Sequence, residues 1–371
     1  MQVNLQIPGS HPQSATEVHV AATRLNCSTL ERLPKWIICI PLTVQWIWLA
    51  LRYKSLTLPS SANPAITSGG LVGEGKLEYL DAMGPVARAS TAAYCQISTH
   101  GPLLGIELRQ LMRNAGLVFP VIAKPNLGLC GYGVRLVSNR CELQSYLASF
   151  PINEVVLLQA YLPAEGEAGI FYARDPSTDQ GRIIGLTLRY FPRVTGDGRQ
   201  TLAELINADP RARRSLASTE HESNLDMLRV PNAGEVVRLS IIGSTRVGGL
   251  YRNGATHITE QLTRSIDAIA RDMPNFHFGR FDVRFDSLYD LSAGMGFSIM
   301  EVNGAGSEAI QAWDPDIGLA AGFRIIFEKQ KILFSISAAM RSIGFDPIGL
   351  IALMKLYWRQ RRLIAKYPPS N

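Results

Sequence analysis

Two stretches near residue 280 constrain folding more than anything else in the chain: FGRFDVRF, Phe278 to Phe285, and FSIMEVNG, Phe297 to Gly304. Both alternate apolar and polar residues with period two, a pattern that suits a strand and scatters round a helix. They read as a two-stranded ribbon. Arg280, Asp282 and Arg284 share one face of the first strand, opposite Phe281, Val283 and Phe285. On the second strand Glu301 and Asn303 oppose Met300 and Val302. Asp282, Glu301 and Asn303 together offer hard oxygen donors, a set that suits Mg2+ sharing its shell with water and substrate phosphates. The competing reading is an amphipathic hairpin with a solvated charged face.

A second signal lies upstream in FPVIAKPNLGLCGYGVRLV, Phe119 to Val137. An apolar run ends in Lys124-Pro125, passes through Gly128, Gly131 and Gly133, and returns as Val134, Leu136 and Val137. This is strand, glycine-rich turn, strand. Glycines allow the backbone close approach to a polyphosphate with its N–H groups aimed at the oxygens, and a lysine at the strand end adds a point charge. The lysine precedes the glycines and no helix start follows. Neither the P-loop nor the Rossmann fingerprint is matched. A plain glycine-rich hairpin is the alternative.

In this order the two blocks resemble the ATP-grasp superfamily over about residues 117 to 312. The resemblance is narrower to its carboxylate-amine ligases, such as D-alanine:D-alanine ligase and the ATP-grasp part of cyanophycin synthetase. The segment VTGDGRQTLAELINADPR, Val194 to Arg211, is the most family-specific text. The resemblance implies an α+β fold of two lobes clasping Mg-ATP. It also implies ligation, in which ATP phosphorylates a carboxylate and an amine then displaces phosphate. Residue by residue, Lys124 with Gly128, Gly131 and Gly133 would hold the phosphates. Gln159, Tyr161 and Leu162 would form the adenine hinge, and Glu167 would hold the ribose, with Glu165 as its rival. Asp282, Glu301 and Asn303 match the metal ligands. Arg280 matches the arginine that steadies the tetrahedral intermediate, and Gly304 and Gly306 match the backbone N–H donors to the oxyanion. Arg189 stands where many relatives place a phosphate-binding lysine, keeping the charge but losing compactness. No N-terminal βαβ substrate domain is found. The alternatives are an ATP-grasp kinase that stops at phosphoryl transfer and a nucleotide-binding regulatory protein.

With 371 residues, 46% apolar and 18% charged, the chain is long enough for two packed lobes with terminal extensions. A formal net charge of +6 favours anionic partners, and without a recognition motif nucleic acid is not expected among them. The expected substrates are a small carboxylate and an amine, amino-acid or peptide-like. Five cysteines without CxxC or metal spacing read as reduced thiols in a cytoplasmic setting. His257 and His277 read as structural or surface residues.

Four segments are expected: 1–30 disordered; 31–116 an extension with an apolar helix and a Gly/Pro-rich loop; 117–312 the ATP-grasp domain; 313–371 helical. The apolar helix, Trp36 to Leu51, would reach about 24 Å, short of a bilayer span. Its three tryptophans and flanking cations suit a membrane interface, and docking on the catalytic lobe is the alternative. The loop Ser55 to Lys76 marks a boundary or functional loop. Lys76 at its end is either a phosphate contact or a solvated helix start. Helices are expected over Leu104 to Asn114, Arg140 to Ser149, Thr201 to Ala208 and Ile258 to Arg271, and a short strand over Tyr94 to His100. The basic, aromatic C-terminal helix has the composition of one that lies on anionic membrane or caps the core. The location expected is therefore cytoplasmic, with peripheral contact at the inner membrane face through these two helices.

Overall fold

The computed structural model describes residues 27–100, 105–218 and 225–370. Two antiparallel sheets carry the α+β fold. The first has the order β1-β4-β2-β3, formed by β1 (Tyr94–Ser98), β2 (Val121–Pro125), β3 (Arg135–Val137) and β4 (Val155–Ala160). The second includes β5 (Gly166–Asp175), β6 (Gln180–Tyr190), β9 (Leu250–Asn253), β10 (Phe278–Phe285) and β11 (Phe297–Asn303), in the order β11-β10-β5-β6-β9. A side ribbon pairs β7 (Arg193–Thr195) with β8 (Val236–Arg238). Residues 161–165 carry the chain from the first sheet into the second.

The expected ribbon is β10 paired with β11, inside a larger sheet rather than alone. Its apolar face, with Phe281, Val283, Ile299 and Val302, continues through Ala168 and Ile170 of β5 and Leu186 and Leu188 of β6. Against it lies the helix Glu260–Arg271, which starts at the Thr259 cap and buries Leu262, Ile266 and Ile269. The spacing of four and three residues puts these side chains on one stripe, and each contributes about 2 kcal/mol when fully buried. The first sheet is covered by the helices Gly105–Asn114 and Arg140–Ala148 through Leu108, Met112, Leu143 and Tyr146. Its strand β1 and the first of these helices come from before residue 117.

Period two fails at one point. Asp282 pairs with Glu301 but Val283 pairs with Ile299, so Met300 is an extra residue in β11. This bulge takes Met300 off the apolar face expected for it. Its Sδ lies 3.3 Å from Arg284 Nε, on the charged side.

The loop between residues 55 and 76, expected as a boundary or functional loop, is packed into the protein: Leu58, Ser61, Ala62 and Asn63 are all buried. Asn63 explains how. Its Nδ2 donates to the Gly69 and Phe278 carbonyls at 2.9 and 2.8 Å, and its Oδ1 accepts from the His277 and Phe278 N–H groups at 2.8 and 3.0 Å. A side chain satisfied four times over can be buried at little cost. His277 is correspondingly buried, as a structural histidine.

Residues 1–26 of the segment expected to be disordered lie outside the described residues. Just beyond, Ser28 and Leu30 are buried, and Glu31 pairs with Arg211 and Arg214, each at 3.0 Å. The apolar helix runs Lys35–Arg52 and buries Ile38, Leu49 and Ala50. It docks on the helix Leu319–Ser342, with Trp46 edge-on to Phe334 at 5.0 Å and Gln45 Nε2 on the Phe327 carbonyl at 2.8 Å. Trp36, Ile40, Val44, Ile47, Trp48 and Leu51 on its other side stay exposed. Among the described residues no helix is long and apolar enough to cross a membrane. The C-terminal segment is two helices, Leu319–Ser342 and Leu350–Ile364.

Candidate functional site

The charged face of the five-stranded sheet is enclosed at Asp282, Arg284 and Glu167, which removes the solvated-hairpin reading. Asp282 is 3% exposed and Arg284 7%. In antiparallel pairing, residues directly opposite share a face, so register assembles the site across four strands. Arg280 faces Asn303 and Asp282 faces Glu301 across β10 and β11. On the other side Asp282 faces Gly169, and Arg284 faces Glu167, which in turn faces Arg189 of β6. Gly169 leaves room for the cluster. A Cβ there would lie 3.1 Å from Arg280 Cδ and 3.3 Å from Asp282 Oδ1.

Asp282 sits between two guanidinium groups. Arg280 donates from Nε at 2.7 Å and from Nη2 at 3.0 Å, and Arg189 Nη2 donates at 2.8 Å. Asn303 Nδ2 adds a bond at 3.2 Å. Burial alone would raise the Asp282 carboxyl, but Arg189 and Arg280 outweigh it and hold it below the usual range. Glu167, also buried, pairs with Arg189 at 2.9 Å and Arg284 at 3.3 Å. Its rival Glu165 is more exposed and pairs with Arg193 and Arg238. Glu301 pairs with Lys76 at 3.2 Å. Its burial is outweighed by Lys76 and Lys124, which keep it ionised.

Lys124 reaches into this cluster from the other sheet. It is 6% exposed, and its Nζ donates to Gln159 Oε1 at 2.7 Å and to the Met300 carbonyl, at the bulge, at 3.0 Å. Burial lowers its pKa to about 8, against the opposing pull of Glu301. Gln159 therefore holds the lysine with its side chain, a task distinct from the hinge role expected of it. Tyr161 and Leu162 lie in the link between the sheets.

The glycine-rich turn runs from β2 to β3 with positive φ at Cys130, Gly131 and Gly133. Gly128 borders the cluster, since a Cβ there would lie 3.0 Å from Lys76 Nζ. Lys76 begins the helix Lys76–Asp81, yet its side chain points at Glu301 and is 13% exposed. It is no solvated helix start. Nearby, burial raises Glu74 to about 7, and its Oε2 has no hydrogen-bond partner among the described residues. Gly304 and Gly306 face a second pair of glycines. Gly306 N–H donates to the Gly70 carbonyl at 2.7 Å and Ala305 N–H to the Gly69 carbonyl at 3.1 Å. The Gly306 N–H is thus already engaged, contrary to the free donor expected.

The donor chemistry of Asp282, Glu301 and Asn303 fits a hard divalent cation, with two carboxylates and an amide oxygen on adjoining strands. Among the described residues no group of three or more His, Cys, Asp or Glu side chains could hold a metal. The third ligand would have to be the amide. Sequence reasoning missed Arg284 as a partner of Glu167, although its place on the Asp282 face was visible. It also missed Gln159 as the group that positions Lys124, for which no local signal exists.

No protein-family model matches the sequence, and no curated protein matches it. Solved structures similar to it include the D-alanine–D-alanine ligase from Bacillus anthracis, at 14% identity over 76% of this chain and 72% of that one, with a TM-score of 0.42. The VanG D-Ala:D-Ser ligase from Enterococcus faecalis is 14% identical over 72% of this chain and 64% of that one, with a TM-score of 0.40. A bifunctional glutathione synthetase from Pasteurella multocida is 16% identical over 67% of this chain, with a TM-score of 0.35, and the chain spans 35% of its length. Of these, the D-alanine–D-alanine ligase shares its name with one enzyme of the sequence resemblance. Likeness this distant carries no weight for the chemistry, which rests on the side chains described above.

Proposed function

We propose that the chain is an ATP-dependent ligase of the ATP-grasp type, joining a small carboxylate to an amine through an acyl phosphate. The observation that carries this reading is the convergence of Lys124, from beneath a glycine-rich turn on one sheet, with Arg189, Arg280, Asp282, Glu301 and Asn303 on the other. Phosphoryl transfer asks for little covalent chemistry from a protein. It asks for cations and N–H groups fixed around a polyphosphate, which this arrangement supplies. Lys124 and the turn holding Gly128, Gly131 and Gly133 would bind the phosphates. Residues 159–162 would border adenine, and Glu167 or Glu165 the ribose.

Asp282, Glu301 and Asn303 would hold Mg2+, which supplies charge neutralisation at the transferring group when bound. A carboxylate oxygen of the substrate takes the γ-phosphoryl group and ADP leaves. The amine nitrogen then bonds to the acyl carbon, phosphate departs with the bonding pair, and the nitrogen loses a proton. Arg280 would steady the oxygen that gains charge in the second step. Arg189 adds a forked cation where a relative would place lysine.

The test is a panel of amino acids and short peptides offered with Mg-ATP and hydroxylamine. Ligation predicts ADP in step with hydroxamate, and Arg280→Ala suppresses both more than it weakens ATP binding. A stable phosphorylated product without hydroxamate would select the kinase, and ATP binding without turnover across the panel would select a regulatory protein.

We further propose that the chain attaches peripherally to anionic membrane. The support is the exposed row Trp36, Ile40, Val44, Ile47, Trp48 and Leu51 on one helix and Ile351, Met354 and Trp358 on another. Neither Lys35–Arg52 nor Leu350–Ile364 contains an acidic residue, and both carry cations.

A further inference from the structure

The glycine-rich turn is gripped from outside by the end of the chain. Gln360, 7% exposed in the last helix, donates from Nε2 to the Gly128 carbonyl at 3.3 Å. Tyr367 Oη donates to the Leu127 carbonyl at 2.6 Å, and Ser370 Oγ to the Gly131 carbonyl at 2.7 Å. Tyr367 is itself fixed by stacking on Phe150, with ring centroids 5.1 Å apart and planes within 13°. Burial pushes its hydroxyl up, so it stays protonated and remains a donor. Two side chains from elsewhere act on the same turn. Tyr146 Oη donates to the Gly133 carbonyl at 2.7 Å, and Arg246 Nε to the Cys130 carbonyl at 3.1 Å.

These contacts all fall on carbonyls, and that has a geometric consequence. Across a trans peptide the C=O of one residue and the N–H of the next point in opposite directions. Bonds at the Leu127 and Gly128 carbonyls therefore turn the N–H groups of Gly128 and Leu129 away from the C-terminal segment. Gly128 is the residue that borders Lys76 Nζ and, through it, Glu301. A turn with three glycines samples many conformations when free, so the outside bonds select the one with its donors facing the site.

We propose that the segment from Gln360 to Ser370 is a strap that sets the nucleotide loop, with Gln360, Tyr367 and Ser370 as positioning residues for the phosphates of ATP. This rests on the nucleotide reading above. The experiment compares the full chain with the triple variant Gln360→Ala, Tyr367→Phe, Ser370→Ala, using calorimetry with Mg-ATP and with adenosine, and hydrogen exchange at residues 128–133. The expected result is Mg-ATP affinity about tenfold weaker, from three lost hydrogen bonds that each order the loop. Adenosine affinity stays unchanged, the melting temperature falls by no more than a few degrees, and exchange accelerates in the turn but not in the core strands. Equal weakening of Mg-ATP and adenosine with a lowered melting temperature overturns the proposal in favour of general stabilisation, and so does a variant that matches wild type. Should wild type bind no Mg-ATP, the nucleotide reading falls with its phosphate role. Exchange at 128–133 then decides the strap on its own, with acceleration upholding it and none overturning it.

Discussion

Lys124 offers the sharpest test of where ATP would sit, because its burial makes it a proton acceptor in an accessible pH range. Its ammonium is pulled down from 10.5 to about 8 by desolvation, so at pH 8 about half the molecules carry it neutral. A polyphosphate placed against Nζ favours the charged form and must draw a proton from solution. The expected uptake is about half a proton per Mg-ATP at pH 8, more at pH 9 and little at pH 7. Affinity should fall in parallel, by about tenfold between pH 7 and pH 9, since only the charged lysine binds well. The sign for folding is separate. The unfolded chain binds more protons than the native one between about pH 8 and 10.5, so the burden of burying Lys124 is full below pH 8 and lifts as pH rises through that window. The assay is titration calorimetry at pH 8 in phosphate and in Tris, whose ionisation enthalpies differ, so that the buffer dependence of the observed enthalpy counts protons. Glu74, raised to about 7, would add uptake at lower pH, so the control is Lys124→Met at pH 8 to 9. Buffer-independent enthalpies in wild type, or an uptake that survives Lys124→Met, would remove this lysine from the phosphates.

Asp282→Asn should lower unfolding free energy by about 3 to 5 kcal/mol in urea melts, because it leaves two guanidinium groups around a buried neutral amide. Glu301→Gln, whose own side chain is 32% exposed against 5% for Asp282, should cost clearly less, while both variants abolish turnover; equal melts would contradict the geometry. Asn63→Ala should destabilise by about 3 kcal/mol or more, since it strands buried backbone groups at Gly69, His277 and Phe278, and an unshifted midpoint would show that water replaces the side chain. Full-length protein should float with anionic vesicles and lose most of that binding with Ile40→Ser, Val44→Ser and Ile351→Ser, at unchanged melting temperature because these side chains are exposed. Protein that never floats would count against membrane attachment.

How far the site could be read in advance follows from how each contact is encoded. The common face of Arg280, Asp282, Glu301 and Asn303 was legible because a strand writes its faces into sequence with period two, and register across β10 and β11 preserves that order. The same rule misplaced Met300. A bulge costs one residue of phase, nothing in FSIMEVNG marks it, and the shift is what brings a main-chain carbonyl to Lys124 Nζ. The burial of the loop around Asn63 was hidden for a different reason. Composition reports how polar a segment is, whereas burial depends on whether its polar atoms find partners, and three of the four groups that bond Asn63 belong to His277 and Phe278, more than two hundred residues away. The grip of Gln360, Tyr367 and Ser370 on the glycine turn is equally non-local, and nothing in the composition of the C-terminal helix marks it. Both Asp282 oxygens accept from arginine, and Glu301 accepts from Lys76. Each carboxylate is thereby neutralised within the site. On the ligase reading proposed above, a divalent cation held there would compete with Arg280 and Lys76 for these oxygens, so those two side chains would turn to substrate oxygens only once it is bound.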